Sequence, residues 1–223
     1  MMLMKFFLLL LLCSFSRAAL GQAVELTPRQ IERLDSIATQ DVPAGAPGVA
    51  AGIIRDGEVI YRKTAGYADL PDSILIYPGT RFNIASNGKQ FTALAVLMLA
   101  DEGKLRLTDD IRRFLPHLFP AIEQPITIEH LLHHSSGIRD VYYLCFLQGL
   151  TWWKHSFSNA DAMDLLARQQ ALNFLPGNQY LYSNSNYILL AEIIAKVSGE
   201  SFVSFTNRLF GKLNMPNTAF VDD

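Results

Sequence analysis

Ser86 and Lys89 stand three positions apart in Ser86-Asn87-Gly88-Lys89, where an apolar run ending at Gly103 begins. On a helix such positions share a face, so local geometry alone would bring the amine beside the hydroxyl. A serine hydroxyl is a weak nucleophile at neutral pH, and an amine whose pKa is depressed by burial or positive potential can take its proton. The amino end of a helix supplies that potential, and its free N–H groups can stabilise an oxyanion. For an arbitrary S-x-x-K the plain alternative is a capping serine followed by a solvated lysine. Asn87 and Gly88 are poor helix formers for a first turn, and Gln90-Phe91-Thr92 open an apolar face, which adds weight to the chemical reading.

A second polar cluster, Tyr182-Ser183-Asn184, follows Pro176-Gly177. On an extended segment alternate residues point the same way, so a phenol and an amide would face one site. A phenolate near a lysine ammonium can shuttle protons, and the amide can hold both the lysine and a substrate carbonyl. A polar turn capping the next helix accounts for Ser183 to Asn186 equally well.

His130, His133 and His134 invite a metal reading, because two of them are four apart on an expected helix. Zinc peptidase motifs of this spacing also supply a glutamate as base, and Leu131, Leu132 and His133 fill the places between. The expectation is that no metal or other cofactor is bound. Tyr142 to Phe157 is aromatic for a connection between helices, and Trp152 and Trp153 are the expected substrate contacts. Cys145 reads as a buried thiol rather than a nucleophile, since nothing adjacent in sequence lowers its pKa.

Elements must position these groups. Thr27-Pro28-Arg29-Gln30 carries a capping box with proline at the first helical position, and Ile31, Leu34 and Ala38 would be the buried stripe of that helix. Two β-rich runs between Gly48 and Tyr67 flank Asp56-Gly57, the signal of a tight antiparallel hairpin. Phe91, Leu94, Ala95, Met98 and Leu99 stripe the helix that opens at Ser86. Further helices are expected over Ile128 to His134, Asp161 to Gln169, from about Tyr187 to Gly199, and Phe202 to Leu213, with Pro116, Pro120 and Pro125 marking a loop. The expected order is helix, two strands, then helices only. A lone hairpin is marginal, so the pattern reads as lacking part of a sheet.

The 223 residues are 50% hydrophobic and 18% charged, a globular balance with material for a core. Lys5 followed by the apolar run Phe6 to Phe15 and the small residues Ala18 to Ala23 has the form of a secretory signal peptide, with cleavage expected after Ala23. Residues 1–23 are thus read as leader and 24–223 as the mature domain, secreted or periplasmic, without a stable membrane span. Loss of Lys5 and Arg17 would take the formal charge from −2 to −4, and nothing argues for a nucleic acid partner. Cys13 lacks the small residue expected before a lipidated cysteine, and only Cys145 would remain, so no intramolecular disulfide is expected.

Phe82 to Thr92, Leu131-Leu132-His133-His134-Ser135-Ser136-Gly137-Ile138, and Pro176-Gly177 followed by Tyr182-Ser183-Asn184, in that order, resemble the β-lactamase-related serine hydrolases. That group includes class C β-lactamases, D-alanyl-D-alanine carboxypeptidases and related esterases. The resemblance implies an α/β (α+β) fold of the β-lactamase/transpeptidase type, a helical region packed on an antiparallel sheet of which the N-terminal hairpin is present. It implies Ser86 as acylated nucleophile, Lys89 as proton acceptor or tuner of the base, Tyr182 as general base and acid, and Asn184 as orienting amide. The substrate would be an amide or ester: a peptidoglycan peptide, a β-lactam or a small ester. The family's third element, Lys or His followed by Thr or Ser and Gly on a later strand, has no counterpart in these residues. The chain therefore reads as lacking a C-terminal part, with an exposed hairpin edge open to aggregation or pairing. A noncatalytic homologue or binding protein of the same fold is the alternative from another class, and a zinc hydrolase using the histidines a third.

Overall fold

In the structure, a computed structural model that describes residues 25–151 and 154–221, the capping box at Thr27 forms as its sequence requires. The Gln30 N–H donates to Thr27 Oγ1 at 3.3 Å, and Gln30 Oε1 accepts from the Thr27 N–H at 2.8 Å, opening α1, Pro28–Thr39. The leader positions 1–23, Cys13, Trp152 and Trp153 lie outside the described residues.

The described residues divide into two compact units, one up to Thr80 and one from Arg81. In the first, β1 (Val49–Arg55) pairs antiparallel with β2 (Glu58–Ala65), Arg55 opposite Glu58. The turn between them is Asp56-Gly57 with φ of 52° and 82°, the left-handed pair that matches the twist of the strands and suits Asp-Gly. Lys63 Nζ and the Tyr61 hydroxyl both donate to Asp35, at 2.6 and 2.8 Å, tying α1 to β2. These two bonds, the lysine's foremost, hold the Asp35 carboxyl below its ordinary pKa. The stripe expected on α1 is not buried: Ile31 is 42% exposed, and no residue of the helix is fully covered. A two-stranded hairpin is too narrow to cover a helix face, so Leu34 and Ala38 are only half-buried within this unit. Ile54 and Val59, cross-strand partners, are likewise exposed.

A second antiparallel pair, β3 (Tyr67–Asp69) with β4 (Ile74–Leu75), follows the hairpin and corrects the expectation of helices only after Tyr67. Strands of three and two residues leave no alternation to read.

The second unit is helical. A 3₁₀ turn, Ala85–Gly88, runs into α2, Lys89–Asp101. Then come α3 (Ile128–Leu132), α4 (Val141–Leu147), α5 (Asn159–Ala167), α6 (Asn184–Ser198) and α7 (Phe202–Lys212). α6 is the central helix, packed against α2, α3, α5 and α7, and it buries Leu189, Leu190, Ile193 and Ile194. α2 buries Thr92, Ala95, Val96 and Leu99; Phe91, Leu94 and Met98 of the expected stripe are half-buried. Leu131, Ile138, Val141, Leu166 and Phe205 complete one continuous core.

Several expected boundaries change: the long helix begins at Lys89 after a 3₁₀ turn, α5 runs Asn159–Ala167 rather than Asp161 to Gln169, and α6 begins at Asn184 rather than near Tyr187. α3 stops at Leu132, and His134 takes a left-handed φ of 54°, so His130 and His134 do not share a helix. The aromatic segment from Tyr142 begins as helix, Tyr142 to Leu147, rather than as connection, because the Asp140 carboxylate caps the start of α4. Among the described residues no helix is long and apolar enough to cross a membrane.

Candidate active site

Ser86 lies in the 3₁₀ turn and Lys89 at the first position of α2, and the spacing of three brings Lys89 Nζ to 3.0 Å from Ser86 Oγ. Ala85 has φ 45°, a left-handed conformation that costs a residue with a Cβ about 1 to 3 kcal/mol and must be held by its surroundings. Part of that hold is Asn83 Oδ1, which accepts from the Ala85 N–H at 2.9 Å.

The Tyr182-Ser183-Asn184 segment leads into α6, with Ser183 as its N-cap. Ser183 is extended, with φ −144° and ψ 124°, so Tyr182 and Asn184 point together while Ser183 points into the core. The Tyr182 hydroxyl lies 2.8 Å from Ser86 Oγ and donates to Asn184 Oδ1 at 3.1 Å; Lys89 Nζ donates to the same amide oxygen at 3.0 Å. The four side chains form one connected set in which Ser86 Oγ accepts from Lys89 and can donate to Tyr182. Lys89 Nζ also sits 5.0 Å from the Tyr182 ring centroid and 5.6 Å from that of Tyr187, both favourable to its charge. Ser86 and Tyr182 are open to solvent, whereas Lys89 and Asn184 are half-buried. Beside Lys89 and Asn184 opens a cavity of about 260 Å³, with Tyr142, Tyr187, Phe202 and Phe220 in its walls. Sites for drug-sized ligands usually span roughly 300 to 1,000 Å³, so this one admits a compact group.

The segment from His134 to Asp140 supports the set through a buried polar network that spacing could not reveal. His134 Nδ1 accepts from the Ser183 N–H at 3.2 Å and lies 3.1 Å from Asn186 Nδ2, and its ring rests against Tyr182 with centroids 4.5 Å apart. Burial, then the nearby Lys89 charge, lowers the His134 pKa, which keeps the imidazole a neutral acceptor. Ser136 Oγ donates to Asn186 Oδ1 at 2.6 Å. Ser185 Oγ donates to the Arg139 carbonyl at 2.7 Å and accepts from the Val141 N–H at 2.9 Å. Gly137, at φ 75°, is required: a Cβ there would stand 2.1 Å from the Phe174 carbonyl oxygen. The sequence reading weighs His134 only as a metal ligand and Ser185 and Asn186 only as part of a helix-capping turn, and it gives Asp140 no role. Asp140 before an apolar run is a helix-cap signal that sequence alone offers.

The remaining candidates lie apart from the set. His130 Nδ1 accepts from the Thr127 N–H at 3.2 Å, closing a capping box for α3, and burial lowers its pKa. Among the described residues no three His, Cys, Asp or Glu side chains gather closely enough to hold a metal. Cys145 is a free, buried thiol whose pKa burial pushes up. The proposed wall residues Trp152 and Trp153 fall outside the described residues.

A serine, a lysine, a tyrosine and an asparagine gathered in this way, on helices of this order, define a class. The chain belongs to the Beta-lactamase family, whose model matches residues 34–223, and its fold is β-lactamase/transpeptidase-like, helices with a small antiparallel sheet. Protein flp of Staphylococcus aureus (strain N315) is 34% identical over 201 residues, covering 87% of this chain and 39% of that protein. The octameric penicillin-binding protein homologue from Pyrococcus abyssi superposes with a TM-score of 0.72 at 30% identity, covering 85% of this chain and 44% of that one. The D-amino acid amidase from Ochrobactrum anthropi SV3, solved with L-phenylalanine, gives 0.68 at 26% identity, covering 82% and 49%. The chain thus spans about two fifths of the curated relative it matches.

Proposed function

We propose that the protein is an exported serine hydrolase that opens an amide or ester through an acyl-enzyme on Ser86. The observation that carries this reading is the Tyr182 hydroxyl 2.8 Å from Ser86 Oγ, with Lys89 Nζ 3.0 Å from the same oxygen. Tyr182 Oη is the proposed base, with Lys89 Nζ 5.0 Å from its ring centroid. Ser86 Oγ attacks the carbonyl carbon as its proton passes to Tyr182 Oη, and the tetrahedral oxyanion collapses with that proton going to the leaving amine or alcohol. Water then attacks the acyl ester, Tyr182 taking its proton and returning it to Ser86 Oγ as the acid leaves. Asn184, its Oδ1 bonded to both Lys89 and Tyr182, keeps the two in register. The Ser86 N–H is proposed as one oxyanion donor.

Amides and esters are favoured as substrates by the family and by the amidase and penicillin-binding relatives, and the compact cavity beside Lys89 suits a small acyl or amine group. Lys5 and the apolar run after it support export with removal of residues 1–23, the rest forming one β-lactamase-related domain. The test is a fluorophosphonate probe, which releases fluoride when a nucleophilic serine attacks it. The adduct should map by mass spectrometry to the peptide bearing Ser86, and Ser86→Ala should take no label. An adduct on Ser135, Ser136 or Ser183 would sink the assignment.

A further inference from the structure

Asp140 is buried at 7% exposure, and no lysine or arginine pairs with it among the described residues. A carboxylate in that setting must be stabilised by N–H donors. It has three. Asp140 Oδ1 accepts from the Tyr142 N–H at 2.9 Å, and Oδ2 accepts from the Asn184 N–H at 2.5 Å and from Asn184 Nδ2 at 2.9 Å. One carboxylate therefore caps the first turns of two helices, its own α4 and the distant α6, and grips the side-chain amide of the residue beside Lys89.

The last bond has a chemical consequence. An asparagine amide has two ends of nearly equal size and opposite function, and in an open site either can face a lysine. A carboxylate only accepts, so it takes the NH₂ end of Asn184 and leaves Oδ1 turned toward Lys89 Nζ at 3.0 Å and the Tyr182 hydroxyl at 3.1 Å. Reversed, the amide would set an N–H against an ammonium and a hydroxyl donor, and the pair serving Ser86 would lose its common acceptor. The amide is also polarised along a line from the Lys89 cation to the Asp140 anion.

We infer that Asp140 is a positioning residue for the reaction, fixing which end of Asn184 faces Lys89 and Tyr182 and placing an unpaired negative charge behind them. This rests on the reading of Ser86 as nucleophile. The charged groups facing that amide are Lys89 and Asp140, with Tyr182 beside them and neutral His134 against the Tyr182 ring.

Asp140→Asn keeps the shape of the side chain but lets the amide of Asn184 turn. Applied to the full chain with the fluorophosphonate probe, it should slow labelling of Ser86 by roughly 10- to 10²-fold, the scale of a small misplacement at a reacting centre. Removal of the negative charge disfavours the protonated form of the base, so the acid limb of the labelling rate should move to lower pH. Ser185→Ala is the structural control, because it removes another bond between α4 and α6 without touching Asn184's amide. It should lower the melting temperature and leave the limb in place. Asp140→Asn labelling at the parental rate, or the two variants behaving alike in rate and limb, overturns the inference while Ser86 stands. A parent that takes no label overturns the Ser86 reading and this inference with it.

Discussion

Tyr182→Phe is the sharpest perturbation of the proposed site, because it deletes one oxygen and leaves the ring. That oxygen lies 2.8 Å from Ser86 Oγ and 3.1 Å from Asn184 Oδ1. Tyr182 is 39% exposed and its ring keeps its tilted contact with His134, so the folded state should lose only about one net hydrogen bond, about 1 kcal/mol. The transition state would lose its general base, typically worth about 10² to 10⁴ in rate, or roughly 2.7 to 5.4 kcal/mol. The kinetic effect should therefore exceed the thermodynamic one several-fold. Lys89→Ala, which empties a position 3.0 Å from both Ser86 Oγ and Asn184 Oδ1, should slow the reaction comparably. Because both groups serve one proton path, the double variant should be little slower than the worse single one. The assay is the time course of fluorophosphonate labelling on intact mass, with thermal melting by circular dichroism alongside. Labelling of Tyr182→Phe within about threefold of the parent, with a melt lowered by several degrees, would refute the reasoning and make Tyr182 a structural residue. Effects that multiply in the double variant would place the two residues on separate paths.

Two further outcomes are expected. His134, held below its ordinary pKa by burial and then by Lys89, is neutral when folded at a pH where the unfolded chain, near 6.5, takes a proton. Stability should thus be full above about pH 6.5 and fall as the pH drops toward the folded value, since protonated Nδ1 cannot accept from Ser183 or Asn186. Melting temperatures from about pH 7 to pH 5 should show the slope, shared with His130, whose shift has the same sign. His134→Gln should flatten it in part, and a slope unchanged by that substitution would refute the assignment. Ser183 Oγ is buried and finds no partner among the described residues, a desolvation cost of about 1 to 3 kcal/mol. Ser183→Ala should therefore leave the melting temperature unchanged or raise it and keep Ser86 labelled; a melt lowered by several degrees would show that the hydroxyl has a partner after all.

What the sequence determined by itself lies within a turn or two of the chain. Thr27 and Gln30 close their box, Asp56-Gly57 turns the hairpin, and Lys89 reaches Ser86 because each geometry is decided by neighbours and by backbone sterics. Periodicity placed Ala95 and Leu99 on the buried face of α2 but put the half-buried Phe91, Leu94 and Met98 there too, and it read the stripe on α1 as buried although its hairpin leaves Ile31 exposed. Tyr182 lies 96 positions from Ser86, and the motif order alone suggested their meeting; no spacing rule supplies a distance of 2.8 Å. The hold on Asn184 was illegible altogether. Asp140 stands 44 positions away and carries an ordinary helix-cap signal, while its second task exists only because α4 and α6 begin side by side. Local torsional preference is written residue by residue, whereas a buried carboxylate finds its donors only after the core has closed and water has gone, and that step belongs to the tertiary structure.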